Sequence, residues 1–225
     1  MEILLDTANI ELIKKYDESY RIDGVTTNPT IVAKEKAPFW PTLKEIRAIM
    51  GDRMMHVQVT AATYEDQLRE AAKIVDVLGK EHTYIKVPTN ETGIHTMKTL
   101  KDEGYLVTAT AIYMPQQAML AASVGADYVA PYFNRINNMN VDAGSSIADM
   151  VNLFYTNSLP TKVLAASFHN AQQIMDAFMA GAQAVTADPQ YFTMMVENPM
   201  IDGAVEGFHK DWVGLYGDKA IFELD

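Results

Sequence analysis

Eight short apolar runs, separated by segments with helical spacing, restrict the fold of this chain more than any other feature. The runs cover residues 3–5, 24–29, 54–59, 84–87, 105–111, 128–132, 162–167 and 184–186. Strands of continuous apolar character are buried on both faces, as in parallel sheets whose strands are joined by helices. Eight such units in 225 residues favour an α/β fold of the (β/α)₈ TIM barrel type over an open sheet.

The segments between the runs predict helices, most clearly over residues 64–78, 114–124 and 171–179. Glycine follows several helical stretches, at positions 79, 104, 125 and 181. Because such barrels span about 200–250 residues, we predict one domain over residues 1–225. Residues 204–216 predict an additional C-terminal helix. Its apolar stripe is expected to cap the core or, alternatively, to contact another subunit.

Composition narrows the classes of partner. The net charge of −11 argues against nucleic acid, although a few cations in a cleft can still bind a small phosphorylated substrate. The absence of cysteine excludes disulfides and thiolate catalysis, and it fits a cytoplasmic location. The five histidines show no metal-ligand spacing, so we expect no metal and no other cofactor. We expect neither a signal peptide nor a membrane-spanning segment.

Polar side chains gather at the predicted carboxyl ends of the first seven strands. In parallel α/β barrels the active site lies at that end, so these residues are the candidates for function. They are Asp6, Thr26, Asn28, Gln58, Lys86, Thr110, Tyr132, Arg135 and Ser167.

Lys86 stands inside the apolar run 84–88. A lysine there must face the barrel interior or the helix layer, and both are largely dry. Desolvation disfavours the ammonium form and lowers the pKa, which leaves a neutral amine able to attack a carbonyl carbon. The sequence therefore predicts a Schiff-base lysine. The alternative is a structural lysine paired with a carboxylate such as Asp6.

Two further strand-end residues suit proton transfer, and each also has a structural interpretation. Asp6 can act as a general base, orient Lys86 or serve as its counter-ion, but an aspartate followed by Thr7 and Asn9 also suits a helix N-cap. The phenol of Tyr132 can shuttle a proton, whereas a buried tyrosine most often belongs to the core.

The remaining candidates suit substrate binding. Arg135 matches the forked geometry of a phosphate, and Ser167 at the start of a helix would add a hydroxyl donor beside backbone N–H groups. A surface salt bridge is the alternative for Arg135. Thr26 and Asn28 belong to a Thr-Thr-Asn-Pro-Thr run, which predicts a helix cap with Pro29 near the first helical position, and the asparagine can equally donate to a substrate hydroxyl.

Together these segments resemble the transaldolase family, nearly from end to end. The likeness rests on Asp6, on Gly-Val-Thr-Thr-Asn-Pro at 24–29, on Lys-Val-Pro at 86–88, on Tyr-Val-Ala-Pro-Tyr at 128–132 with Asn134 and Arg135, and on Val-Leu-Ala-Ala-Ser-Phe at 163–168. The order and spacing of the Thr-Thr-Asn-Pro run and the lysine strand are specific. More narrowly, the chain resembles the small bacterial fructose-6-phosphate aldolase branch.

The resemblance implies a (β/α)₈ barrel and class I aldol chemistry without a metal. The family's Schiff-base lysine falls on Lys86. Its other functional positions fall on Asp6, Asn28, Thr110, Arg135 and Ser167. It further implies a sugar phosphate substrate and a homo-oligomer, a ring of five paired into ten, in which the C-terminal helix reaches a neighbouring subunit.

Two positions separate the branches of the family. Transaldolases carry a glutamate at the end of strand three and a phenylalanine at the end of strand six, whereas this sequence has Gln58 and Tyr132, as the aldolase branch does. A carboxylate can act as a base and an amide cannot, so Tyr132 is the candidate for proton transfer. Transfer of a dihydroxyacetone unit between sugar phosphates, and a non-catalytic sugar-phosphate-binding barrel, are the alternative functions.

Overall fold

The computed structural model describes residues 1–224 and contains a closed barrel of eight parallel strands. Each strand pairs with the next, and the first pairs with the last. The strands are β1 (Glu2–Asp6), β2 (Gly24–Thr26), β3 (Met54–Gln58), β4 (Thr83–Pro88), β5 (Leu106–Ile112), β6 (Tyr128–Pro131), β7 (Lys162–Ala165) and β8 (Ala184–Ala187). The predicted TIM barrel is confirmed, with strand bounds that differ by one to three residues from those expected.

Helices follow the strands, and those within residues 1–189 form the outer layer of the barrel. They are α1 (Ile10–Ser19), α2 (Pro29–Glu35), α3 (Phe39–Met50), α4 (Tyr64–Leu78), α5 (Glu91–Asp102), α6 (Pro115–Ser123), α7 (Phe133–Asn138), α8 (Ala143–Thr156), α9 (Ala171–Met179), α10 (Pro189–Val196) and α11 (Pro199–Tyr216), with a 3₁₀ turn at Ile221–Glu223. The bounds of α4 and α9 are those predicted. Gly79 ends α4 in the left-handed region with φ 84°, where glycine carries no steric penalty. No helix within residues 1–224 is long and apolar enough to cross a membrane.

The chain divides into two compact units, Met1–Pro189 with all eight strands and Gln190–Asp225 with most of α10 and all of α11. The C-terminal helix begins five residues before the predicted start at residue 204, because Asn198 caps it and Pro199 occupies its first position. On its apolar stripe, Phe208 is 72% and Leu215 75% accessible in the described chain. The single domain stays a prediction.

The amino ends of the strands are closed by a polar cluster inside the barrel. Both carboxylate oxygens of Glu2 are used there: one accepts a hydrogen bond of 2.7 Å from the Tyr128 hydroxyl, and the other lies 2.5 Å from the Lys162 ammonium. Next to this polar cluster, the Tyr128 ring packs with Leu4 and Leu164 in a buried hydrophobic cluster. The core therefore fills the lower barrel, and the polar strand ends remain at the opposite, carboxyl end.

His56 lies in the buried interior of the barrel, where its ring stacks on Tyr84 at a centroid distance of 4.5 Å. Its Nδ1 is 2.8 Å from the Thr108 hydroxyl, while Nε2 has no hydrogen-bond partner among residues 1–224. Burial, helped by the nearby positive charge of Lys86, holds the pKa of His56 well below its usual value. The folded protein therefore keeps this imidazole neutral at pH values where the unfolded chain protonates it.

The substitution His56→Phe is expected to flatten the dependence of stability on pH. Below pH 6.5 the unfolded wild-type chain binds a proton at His56 that the folded protein rejects, so the free energy of unfolding falls with falling pH. Between pH 6.5 and 5.5, the free energy of unfolding should therefore fall by about 1 kcal/mol less in the variant than in the wild type. Urea unfolding at both pH values measures it. His95→Phe, at an exposed histidine stacked on Tyr64, is the control, and a wild-type slope in His56→Phe would refute the assignment.

Candidate active site

A cavity of about 490 Å³ opens at the carboxyl ends of the strands. Seven of the nine candidate residues line it: Asp6, Asn28, Gln58, Lys86, Tyr132, Arg135 and Ser167. The other two contact members of this group, since Thr26 donates a hydrogen bond to Asp6 and Thr110 shares one with Tyr132. The structure thus brings all nine together, from seven different strands and the segments that follow them.

Lys86 projects from β4, and only 5% of it is accessible to solvent. Its Nζ donates a hydrogen bond of 3.0 Å to the Thr27 carbonyl oxygen. In the described part of the chain it forms no salt bridge, so pairing with Asp6, the structural alternative, is not the arrangement found. Burial lowers the pKa of Lys86, and the negative charge of Asp6 opposes this shift in part. The Lys86 amine is therefore buried and faces the cavity. At a given pH, a larger fraction of it is neutral than of a solvent-exposed lysine.

Asp6 ends β1 and accepts a hydrogen bond of 2.6 Å from the Thr26 hydroxyl, which lies 2.7 Å from that of Thr186. Burial raises the pKa of Asp6, while the positive charge of Lys86 and the Thr26 hydrogen bond lower it. Asp6 itself is not the helix cap: Asn9, the other capping residue of this segment, caps α1, and its side chain accepts from the Leu12 amide. The Asp6 carboxyl group is therefore available to a ligand in the cavity.

Asn28 and Gln58 both present side-chain amides to the cavity, but the two amides differ in their hydrogen bonding. Asn28 caps α2 with Pro29 at the first helical position, and its Oδ1 accepts from the Ile31 amide at 3.0 Å. The cap uses only the oxygen, which leaves the Asn28 NH₂ group as a donor. The Gln58 Oε1 atom is buried and has no partner within residues 1–224. A buried acceptor of this kind calls for a donor, such as a water or a substrate hydroxyl.

A bulge in β5 positions the hydroxyl of Thr110. Ala111 has a positive φ of 57°, and the pairing of β5 with β6 shifts register between Ala109 and Ile112. Bulges of this type bend a strand and redirect its side chains. Here the Thr110 hydroxyl lies 3.1 Å from the Tyr132 hydroxyl, so the two can share a proton or a water.

Arg135 and Ser167 lie at the β6 and β7 side of the cavity. The Arg135 guanidinium sits 4.9 Å above the Tyr132 ring and donates a hydrogen bond of 3.2 Å to the Tyr113 hydroxyl. No salt bridge involves Arg135 among the residues described, so the surface-pair alternative is not the arrangement found. Ser167 adopts φ 62° in the loop before α9 and is not at the helix start, which Asn170 caps; that expectation is wrong.

Three polar residues of the cavity lining were not among the candidates predicted from the sequence. Thr30 and Lys34 reach the cavity from α2, and His169 reaches it from the loop after β7. His169, one of the five histidines without metal-ligand spacing, is exposed and also lines the cavity. Its position two residues beyond Ser167, on a strand-end loop, was the available signal. No group of three or more metal-ligating side chains occurs in the portion that the structure describes.

A buried amine facing a polar cavity at the carboxyl end of a (β/α)₈ barrel is the arrangement of a Schiff-base aldolase. The family model described as Transaldolase/Fructose-6-phosphate aldolase matches residues 3–219. The chain belongs to this family.

Individual relatives agree with the family match. A probable fructose-6-phosphate aldolase of Streptococcus pneumoniae is 41% identical over 223 residues, covering 98% of this chain and 100% of the relative. Probable transaldolases of Kosmotoga olearia and Petrotoga mobilis are 38% and 37% identical, covering 94% of this chain and 96% and 95% of theirs. Both names describe aldol chemistry, and the predicted enzyme class, an aldolase or transaldolase of the Schiff-base kind, is confirmed.

A solved structure extends the comparison to the fold alone. The inosine 5′-monophosphate dehydrogenase of Legionella pneumophila has a TM-score of 0.60 at 14% identity, covering 85% of this chain and 58% of that one. At this identity the likeness describes a shared barrel architecture and carries no information about chemistry.

Proposed function

We propose that the chain is a class I aldolase that cleaves fructose 6-phosphate to dihydroxyacetone and glyceraldehyde 3-phosphate, and forms it in reverse. The observation that carries the proposal is the Lys86 amine, 5% accessible, free of a salt bridge in the described chain and facing the cavity. A class I aldolase needs a neutral amine at this point, because only the free base attacks a ketone.

The first half of the reaction builds an electron sink on Lys86. The amine attacks the C2 carbonyl of the ketose to give a carbinolamine, which loses water to give an iminium ion. Asp6, 2.6 Å from the Thr26 hydroxyl, and Asn28, with its free NH₂ group, orient the hydroxyls of the three-carbon unit. The positive iminium nitrogen lies in a dry part of the barrel, where its attraction for electrons is little screened.

The second half breaks the C3–C4 bond. The proton of the C4 hydroxyl passes to a water held by Tyr132, Gln58 and Thr110, which later returns it to C3, and the electrons of the C3–C4 bond move into the iminium to form an enamine. Glyceraldehyde 3-phosphate leaves, its phosphate held by Arg135 and Ser167. The enamine is protonated at C3 and hydrolysed by water, which releases dihydroxyacetone and restores the amine. The buried, unpartnered Gln58 oxygen supports the position of the water.

Transaldolase activity is the second candidate, in which the enamine attacks a second aldose instead of being protonated. Gln58 and Tyr132 favour the aldolase, because the resemblance assigns a glutamate and a phenylalanine to these positions in transaldolases. An amide cannot take a proton as a carboxylate can. A phenol 3.1 Å from the Thr110 hydroxyl supplies the alternative proton carrier.

Turnover of fructose 6-phosphate in the absence of an acceptor aldose tests the proposal. An aldolase releases dihydroxyacetone in that assay at a rate that erythrose 4-phosphate does not raise. A transaldolase depends on erythrose 4-phosphate for turnover. A non-catalytic sugar-phosphate-binding barrel gives no product in either assay and no mass increase after borohydride reduction with dihydroxyacetone.

We also infer a cytoplasmic homo-oligomer, a pentamer or a decamer. The support is the resemblance and the accessibility of α11, on which Val205, Phe208 and Leu215 are exposed apolar residues. Sedimentation of the full chain and of a Phe208→Ser variant tests this inference. A monomeric wild type would contradict it.

A further inference from the structure

Tyr113 lies beside the cavity and contacts two of the residues assigned to the reaction. Its hydroxyl accepts the 3.2 Å hydrogen bond from the Arg135 guanidinium. Its ring meets the Tyr132 ring edge to face, at a centroid distance of 5.6 Å and an interplanar angle of 74°. Arg135 lies above that same Tyr132 ring. The three side chains therefore form one cluster, in which Tyr113 supports the arginine from one side and Tyr132 supports it from another.

The backbone around Tyr113 is fixed on both sides. Two residues before it, the β5 bulge at Ala111 redirects the strand. Immediately after it, the Gln117 side chain of α6 accepts hydrogen bonds from the amides of Tyr113 and Met114, at 2.8 and 3.1 Å. Because this segment is already ordered, the half-buried Tyr113 loses little conformational entropy when it binds Arg135.

An arginine in a cavity mouth needs such support to serve as an anion site. Its side chain has many rotamers, and restricting them costs free energy on binding unless the free protein already restricts them. The guanidinium carries five N–H donors in a planar fork, and Tyr113 uses one of them. The others remain for a phosphate in the bidentate geometry that arginine favours.

We propose that Tyr113 is a positioning residue that fixes Arg135 for phosphate and thereby sets the preference for phosphorylated over neutral aldehydes. This inference rests on the proposed function, in which Arg135 binds the phosphate of the substrate. Tyr113 itself touches no reacting atom. It acts by holding the cation in the orientation that receives the dianion.

The substitution Tyr113→Phe removes the hydroxyl acceptor and keeps the ring against Tyr132. We expect the dissociation constant for inorganic phosphate to rise about fivefold, which is the change expected for the loss of a typical hydrogen bond. The ratio of kcat/KM for glyceraldehyde 3-phosphate to that for glyceraldehyde, measured with dihydroxyacetone, should fall by about the same factor. Phosphorus NMR titration and initial rates give the two values. Tyr64→Phe is the matched control, because it removes another half-buried hydroxyl, 2.9 Å from Thr99 and outside the cavity lining.

Three outcomes separate this inference from the proposed function. Weaker phosphate binding in both Tyr113→Phe and Arg135→Gln, with Tyr64→Phe at the wild-type value, supports it. Unchanged or tighter binding in Tyr113→Phe, together with weaker binding in Arg135→Gln, overturns the role of Tyr113 alone. Wild-type binding in Arg135→Gln shows that the anion site lies elsewhere, which overturns both this inference and the phosphate clause of the proposed function.

Discussion

Replacement of Lys86 by methionine is expected to reduce kcat for fructose 6-phosphate cleavage about 10⁵-fold, because it removes the buried amine that is assigned to form the iminium. Methionine has a similar length and no charge, so it fills the buried space that Lys86 occupies. Initial rates measure the loss. Mass spectrometry after borohydride reduction with dihydroxyacetone measures the covalent adduct, which should form in the wild type and be missing in the variant.

Lys98→Met is the control, since Lys98 is an exposed residue of α5 that pairs with Asp102. It should retain both turnover and adduct formation. Far-ultraviolet circular dichroism checks that Lys86→Met remains folded. Reductive trapping in a folded Lys86→Met variant would place the nucleophile on another lysine and end the present assignment.

The change with the second-largest expected effect is Tyr132→Phe, which should lower kcat for cleavage about 10²–10³-fold, the usual range for loss of a general acid–base group. The phenylalanine ring keeps the contacts with Tyr113 and Arg135 and loses only the hydroxyl that faces Thr110. Adduct formation with dihydroxyacetone should persist, because Lys86 still supplies the amine. Parallel measurement of cleavage rate and trapped adduct separates the two steps.

Thr110→Val provides the matched comparison for Tyr132→Phe. It removes the hydroxyl partner of Tyr132 and leaves the phenol in place, so a smaller loss of about tenfold is expected if Thr110 orients the proton carrier. If Tyr132→Phe retains the wild-type kcat, the proton of the C4 hydroxyl must pass to another group. The buried carboxyl of Asp6 would then be the first candidate.

The sequence was sufficient to predict the barrel and most of the site, because both depend on local patterns. Continuous apolar runs defined the strands, and barrel geometry then placed residues as distant as Asp6, Lys86 and Ser167 around one cavity. Lys86 was identifiable as a candidate because a lysine inside an apolar strand must be desolvated, although a structural lysine paired with Asp6 was the alternative. In the structure, burial lowers the pKa of Lys86, which is the cause inferred from the sequence.

Features that depend on contacts between distant segments were beyond the sequence. The bulge at Ala111 breaks the regular alternation of β5, and alanine gives no local signal for a positive φ. Tyr113 directly follows β5, and its contact with Arg135 across 22 positions of the chain has no local sequence signal. The α11 stripe illustrates the same point, because spacing identifies an apolar face but not what covers it, and both the core and another subunit stay predictions.

Closure of the barrel between β1 and β8 has a consequence for synthesis in the cell. The N-terminal strand leaves the ribosome with one edge that stays unpaired until residues 184–187 emerge, roughly 10–40 s later at about 5–20 residues per second. During that interval the nascent chain exposes an apolar strand that neighbouring polypeptides can also pair with. Slow translation of the second half of the message would lengthen this vulnerable period.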